Sequence, residues 1–239
     1  MKLRKAHTNL KKSMDGFLSL IYPKPCLICG VELPETQPHF CFSCFEKIHF
    51  TDYEKYENQT IADELFWGRV KIENVFACLF FEKGNSTQTI LHTIKYKEGK
   101  ELGIYMGEII GKRIKDKSKY KNIDALIPIP LHSKKGFIRG YNQSLLIAQG
   151  VSNVLEIPII EGIQRKKHHD SQTKKNRFER WDNVKSIFKA NVNDLSKYKH
   201  VAIVDDVLTT GSTLESAART IKEVIPEIEI SLLTIAIAK

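Results

Sequence analysis

A chain of 239 residues, 42% hydrophobic and 27% charged, suits one α/β-sized domain with an appendage, and this balance excludes wholesale disorder. No run approaches the roughly 18 uninterrupted apolar residues of a conventional transmembrane helix, so no membrane span is expected. The net charge of +9 points to an anionic partner such as phosphate, nucleotide or nucleic acid. That charge is concentrated: residues 1–25 carry +5, 26–60 carry −4, 61–123 carry +4, 124–163 balance, 164–189 carry +6 and 190–239 carry −2.

The chain divides into a basic N-terminal segment (1–19), a cysteine module with its linker (20–60) and a larger domain (61–239). Residues 2–22 are expected to form a short basic helix with Leu10, Phe17, Leu18 and Ile21 on one face. Four of the five cysteines form two CxxC knuckles, Cys26/Cys29 and Cys41/Cys44. Four thiolates at this spacing suit tetrahedral closure on one structural Zn²⁺. The alternative, two disulfides, would need export. The apolar stretch Phe17–Tyr22 is too short for a signal peptide, so the chain is expected to be cytoplasmic. The fifth cysteine, Cys78, lies in an apolar run and reads as a small core residue. Residues 52–64, acidic and rich in Tyr and Asn, read as a linker or irregular bridge.

Beyond the linker, strands and helices alternate. Val75–Phe81 reads as a buried strand, and 87–97 as a helix with Ile90, Leu91 and Ile94 on its apolar face. A second helix carries Leu102, Tyr105, Met106, Ile109, Ile110 and Ile114. An apolar run, Ile123–Ile129, ends at Pro128 and Pro130 and leads into a Lys/Gly/Arg loop. Asn142–Leu155 is a helix, Ile157–Ile160 a short strand, and 164–189 a polar, basic loop. Val201–Val204, Leu214–Val224 and Ser231–Ala238 complete the pattern as strand, helix and strand. The alternation predicts an α/β fold with a mostly parallel sheet flanked by helices.

The densest chemistry lies in Val201–Thr213. Four apolar residues build a central strand, and Asp205 and Asp206 stand at its C-terminal end, where open α/β sheets bind ligands. Thr209, Thr210, Gly211, Ser212 and Thr213 then turn the chain into a helix. Gly211 permits close backbone approach, and successive N–H groups at a helix N-terminus form an anion-binding nest. The plainer alternative is an N-cap by Ser212 or Thr213, with Asp206 favouring the helix dipole.

This stretch resembles, without mismatch, the phosphoribosyl-diphosphate (PRPP) signature of type I phosphoribosyltransferases. Pro128-Ile129-Pro130 with Arg139-Gly140-Tyr141-Asn142-Gln143 is similar to the second motif of the ComF/GntX family. Arg165, Gln172, Thr173, Arg180, Asn183 and Phe188 match the spacing of its third motif. With the double CxxC knuckle, the resemblance covers about residues 20–239. The chain departs from the family at Tyr141, where Phe is commoner, and at His168–Ser171, where family members often carry Thr and Pro. The paired His168 and His169 lack further ligands in register and read as surface residues.

The resemblance implies a type I phosphoribosyltransferase fold with a small N-terminal zinc module. It implies a 5-phosphate in the loop 209–213, with Asp205 and Asp206 on the ribose hydroxyls. The pyrophosphate, with Mg²⁺, would lie toward Arg139, with Lys134 and Lys135 as looser charges. Residues 164–189 would close as a hood, with Arg165, Gln172 and Arg180 as its candidate ligand contacts. It further implies work on internalised single-stranded DNA in natural transformation. The charge map agrees with this, since the basic zones 1–25 and 164–189 suit phosphates. Phe178, Trp181 and Phe188 lie among those charges as candidates for base stacking. Core packing is the alternative, weighed equally for Trp181 and favoured for Phe188. An active phosphoribosyltransferase acting on a base or amine is the competing expectation, and no acceptor pocket is legible. The acidic cysteine module suits a protein contact, such as a helicase or DNA-uptake protein, better than direct DNA contact.

Overall fold

The computed structural model describes residues 24–96, 99–131, 140–166 and 187–238. The expectations for residues 2–22, Lys134, Lys135, Arg139, His168–Ser171, Gln172, Thr173, Phe178, Arg180, Trp181 and Asn183 lie outside the described residues. Contacts divide the chain into two compact units, Met1–His49 and Phe50–Lys239.

In the first unit, the Cys26–Gly30 turn closes through Gly30 N–H on the Cys26 carbonyl at 2.9 Å, with Gly30 at φ 76°. A short helix, α1 (Phe42–Glu46), begins directly after Cys41. Among the described residues of this unit, 24–49, the buried apolar ones are Cys26, Phe40, Cys44 and Ile48. So small a core needs a crosslink or a metal to hold it.

The second unit is built on a four-stranded parallel sheet in the spatial order β1 (Asn74–Phe81), β6 (Glu229–Ala238), β5 (His200–Leu208), β2 (Ala125–Pro128). Its strands read as unbroken apolar runs because helices cover a parallel sheet. Val75–Leu79, Val201–Val204 and Ile230–Ile237 are all buried. Cys78 is one of these core residues, and burial pushes its thiol up to about 12. Ile157–Ile160 does not form a strand. It makes a single parallel bridge, Leu126 to Ile159, with Leu126 N–H on the Pro158 carbonyl and Ile160 N–H on the Leu126 carbonyl. β2 is only four residues long, which limits how far a neighbour can pair along it.

The helices are α2 (Ile61–Glu64), α3 (Ser86–Tyr96), α4 (Lys100–Ile114), α5 (Gln143–Leu155), α6 (Val192–Leu195) and α7 (Ser212–Val224). Residues 52–64 are not a free linker. Tyr53 and Glu54 are buried, and Arg113 of α4 pairs with Asp52 and with Glu54 while lying over the Phe50 ring. The ends of the expected basic loop form an antiparallel ribbon, β3 (Ile163–Arg165) with β4 (Phe188–Ala190).

Two contacts place the helix that reaches the site. Gly103, Gly107 and Gly111 recur every fourth residue on α4 and form a groove for α5. A Cβ on Gly107 would stand 2.1 Å from the Ile147 carbonyl oxygen, and one on Gly150 of α5 would stand 1.9 Å from that of Ile104. The two backbones therefore touch. At the start of α5, Asn142 donates to the Ile129 carbonyl at 3.0 Å and accepts from Ser144 N–H at 3.1 Å. One side chain thus caps the helix and ties it to the end of β2.

Candidate phosphoribosyl site

The two acids stand within β5, not beyond it. The strand continues four residues past Val204 to Leu208, with Asp205 in register with Thr234 of β6. Alternation therefore sends the two carboxylates different ways. Asp205 Oδ1 accepts from the Ser144 hydroxyl at 2.9 Å and from the Asp206 amide at 2.9 Å. Asp206 Oδ2 meets Lys95 Nζ, from the last turn of α3, at 2.7 Å. Burial, reinforced by the neighbouring Asp206 charge, raises Asp205 to about 7. The hydrogen bonds and Lys95 oppose that rise without cancelling it.

After Leu208 the chain turns sharply. Gly211 sits at φ 76°, in the left-handed region, and is itself the N-cap of α7, with no side-chain capping bond. Ser212 and Thr213 are thus helical residues, not the cap that the plainer sequence reading assigned to them. The nearest side-chain approach is Thr210 Oγ1 to the Ser212 amide at 3.5 Å, long for a hydrogen bond. Thr209, Thr210, Ser212 and Thr213 are exposed, whereas Gly211 and Leu214 are buried. The turn therefore presents four hydroxyls and uncapped N-terminal amides at the positive end of a 13-residue helix.

Residues from distant parts of the chain converge on this turn. Lys95 and Ser144 hold the two acids. Arg69 donates to the Thr210 carbonyl at 2.9 Å and pairs with Glu215 of α7, and the Phe66 ring stands where a Cβ on Gly211 would be, at 3.0 Å. None of these four carried a local sequence signal. Ser144 lies at sequence separation 61 from its partner and Arg69 at 141, and a lone Ser, Lys or Arg is common on any surface.

Other motif residues fall into place around the site. Gly140 adopts φ 71° before α5. The Tyr141 hydroxyl donates to the Ile94 carbonyl at 2.6 Å, satisfying one of the orphan acceptors at the end of α3, next to Lys95. Arg165 lies over the buried Phe188 ring, 5.6 Å from its centroid, so this hood candidate is anchored on the β3–β4 ribbon.

A site formed where α5 leaves β2 and α7 leaves its neighbour β5 stands at a topological switch point, the usual ligand crevice of a parallel α/β sheet. A family model for the phosphoribosyl transferase domain matches residues 141–238. The chain carries a phosphoribosyl transferase domain. It is homologous to "Competence protein F" of Haemophilus influenzae, at 37% identity over 45% of this chain and 48% of that protein. It is also homologous to "Competence protein ComFC" of Bacillus subtilis, at 33% over 41% and 38%. A third relative is "DNA utilization protein YhgH" of Escherichia coli O157:H7, at 27% over 54% and 58%. The matches span between 38% and 58% of these relatives' own length. The second unit has the fold expected from the alternating pattern, a parallel sheet flanked by helices. The matched stretch 141–238 supplies β5 and β6 of that sheet, and the cysteine unit precedes the second unit in the chain.

In that N-terminal unit, the sulfurs of Cys26, Cys29, Cys41 and Cys44 lie within 4.8 Å of one another, and all four are free thiols. Cys29 and Cys41 Sγ are 3.7 Å apart, close to the separation of about 3.8 Å that follows from tetrahedral Zn–S bonds of about 2.3 Å. Burial opposes ionisation of Cys26, yet backbone N–H groups of Cys29, Cys41 and Ile28 bring its thiol down to about 6, while burial and the neighbouring thiols push Cys44 up to about 12. Donor chemistry and spacing both fit a zinc ion. No helix among the described residues is long and apolar enough to cross a membrane.

Proposed function

We propose that the protein binds PRPP with Mg²⁺ at the β5–α7 turn and acts in the cytoplasm in handling internalised single-stranded DNA. The observation that carries the ligand reading is the uncapped start of α7, with four exposed hydroxyls around a left-handed Gly211. A helix that spends no side chain on its own N-terminal amides leaves them for an anion. Thr209–Thr213 would take the 5-phosphate, and Asp205 and Asp206 the ribose hydroxyls or the Mg²⁺ that accompanies the phosphates. Both acids offer hard oxygen donors, and Lys95 occupies Asp206 until a ligand competes for it. Arg139 would fork onto the pyrophosphate, with Arg165, Gln172 and Arg180 closing from the hood. Cys26, Cys29, Cys41 and Cys44 would hold a structural zinc, and this unit would present the surface for a helicase or DNA-uptake protein. The names of the relatives, competence and DNA utilization proteins, support the biological role.

Calorimetry with PRPP and Mg²⁺ tests the ligand. Wild-type protein should bind, and Asp206→Asn should weaken binding by about tenfold or more, the usual effect of losing a charged hydrogen bond. A wild-type protein that gives no heat with PRPP ends this reading. For the DNA role, affinity for a single-stranded oligonucleotide should fall steeply with salt; a flat response would remove it.

The intact acid pair beside the phosphate turn also supports a second reading, an active phosphoribosyltransferase. Displacement at the anomeric carbon needs positioned groups and a stabilised leaving pyrophosphate, not a covalent nucleophile. Acceptor-dependent release of pyrophosphate from PRPP, across a panel of bases and ammonia, would decide for catalysis.

A further inference from the structure

The turn 209–213 is braced from behind by Arg69 and Phe66, which lie outside the stretch 141–238 that the family model matches, together with Glu215 from within it. Arg69 Nη1 donates to the Thr210 carbonyl at 2.9 Å and to the Leu65 carbonyl at 2.8 Å, while its Nε donates to Glu215 Oε2 at 2.8 Å. Glu215 sits in the first turn of α7, its amide donates to the Gly211 carbonyl at 2.8 Å, and its other oxygen takes Arg219 at 2.9 Å. Phe66, buried, closes the remaining side, within 3.0 Å of where a Gly211 Cβ would stand. We propose that Arg69 is a positioning residue that aims the Gly211 amide and the start of α7 at a phosphate, a role that rests on reading this turn as a phosphate site.

The geometry follows from peptide planarity. The described residues contain no cis peptide bond, and a trans peptide holds its C=O and N–H on opposite edges. A guanidinium gripping the Thr210 carbonyl therefore turns the Gly211 N–H away from the brace. A rigid fork suits this task better than a flexible ammonium, because it holds the carbonyl and the Glu215 carboxylate at fixed angles from one planar group. Pre-setting an amide that would otherwise rotate spares the ligand the cost of ordering it. Glu215 contributes twice: it anchors Arg69, and it sits on the helix whose amides form the site. Its carboxyl is held below the usual range. Burial opposes that fall, and the hydrogen bonds and charges of Arg219 and Arg69 outweigh it.

The test uses full-length protein and ribose 5-phosphate, which carries the 5-phosphate and no pyrophosphate. Calorimetry on wild type, Arg69→Met, Arg69→Lys and Glu215→Gln should give about tenfold weaker binding for Arg69→Met. Arg69→Lys should fall between that variant and wild type, since it keeps the charge and loses the fork. In ¹⁵N–¹H spectra the Gly211 amide should shift on titration in wild type and stay unmoved in Arg69→Met. Wild-type affinity in Arg69→Met, or a loss no greater than its drop in melting temperature explains, overturns the proposal. Should Arg69→Met not fold, Glu215→Gln decides: about threefold weaker binding at an unchanged melting temperature supports the brace, and wild-type binding refutes it. A wild-type protein that does not bind ribose 5-phosphate overturns the phosphate reading itself, an outcome distinct from failure of the brace.

Discussion

Asp205 has two demands on it that pull against each other. Its folded-state value of about 7 lies above the ordinary 3.8, so between those pH values the native carboxyl keeps a proton that the unfolded chain has released. Stability is therefore full below about pH 4, falls as pH rises toward 7, and levels off above it. Asp205→Asn removes the titration, so its melting temperature should change less than that of wild type between pH 5 and pH 8. The same variant should bind PRPP at least about tenfold more weakly. A pH profile identical to wild type would show that Asp205 is not the group responsible. Tyr141 makes a second prediction at this scale. Its hydroxyl satisfies the Ile94 carbonyl beside Lys95, so Tyr141→Phe should cost about 1 kcal/mol in denaturant unfolding.

Packing between α4 and α5 decides where Ser144 stands. The glycine groove lets the helix backbones touch, and no side chain can be added at Gly107 or Gly150 without moving one helix. Gly107→Ala should lower stability by about 1–3 kcal/mol, measured by the denaturation midpoint, despite the better helix propensity of alanine. Because α5 is capped by Asn142 and carries Ser144 onto Asp205, the shift should also weaken PRPP binding. A variant more stable than wild type would mean that the helices separate without cost. The contrast with α7 is instructive. That helix is held by an ordinary apolar stripe, Leu214, Ala217, Ala218 and Ile221, and its position is legible from period alone.

Each of the two compact units has its own means of closure. The second holds a sheet of buried apolar strands, whereas the described residues of the first, 24–49, hold four buried apolar residues and four convergent thiols. A chelator strong enough to strip zinc should therefore release one equivalent per chain and expose residues 24–49 to protease, with PRPP affinity in the second unit unchanged. Loss of PRPP binding on chelation would show that the units do not fold independently. At this scale the charge acquires an address as well. The start of α7 and the Asp206–Lys95 pair stand at the end of a sheet whose strand centres are apolar, so the field there comes from the helix end, the two acids of β5 and a few placed side chains. Much of this was legible in the chain itself. The apolar runs named the strands of the main sheet but not the β3–β4 ribbon, the 3.6-residue period named the long helices, and the contiguous Asp205–Thr213 segment named the turn, because each of those signals is local and survives without neighbours. The end of β5 was not legible: pairing with β6 carries the strand through two acids that propensity would exclude. Nor was the single bridge at 157–160, because whether an apolar run pairs fully depends on how the chain meets its neighbour and not on composition. The residues that hold the site, Lys95, Ser144, Phe66 and Arg69, are ordinary in sequence and acquire a role only where the sheet order brings them to one turn. Sequence by itself offered the acids, the small polar turn residues and the four cysteines as candidates, because each set is contiguous or regularly spaced. Tertiary structure decided which way they point, because orientation depends on long-range packing that no local pattern records.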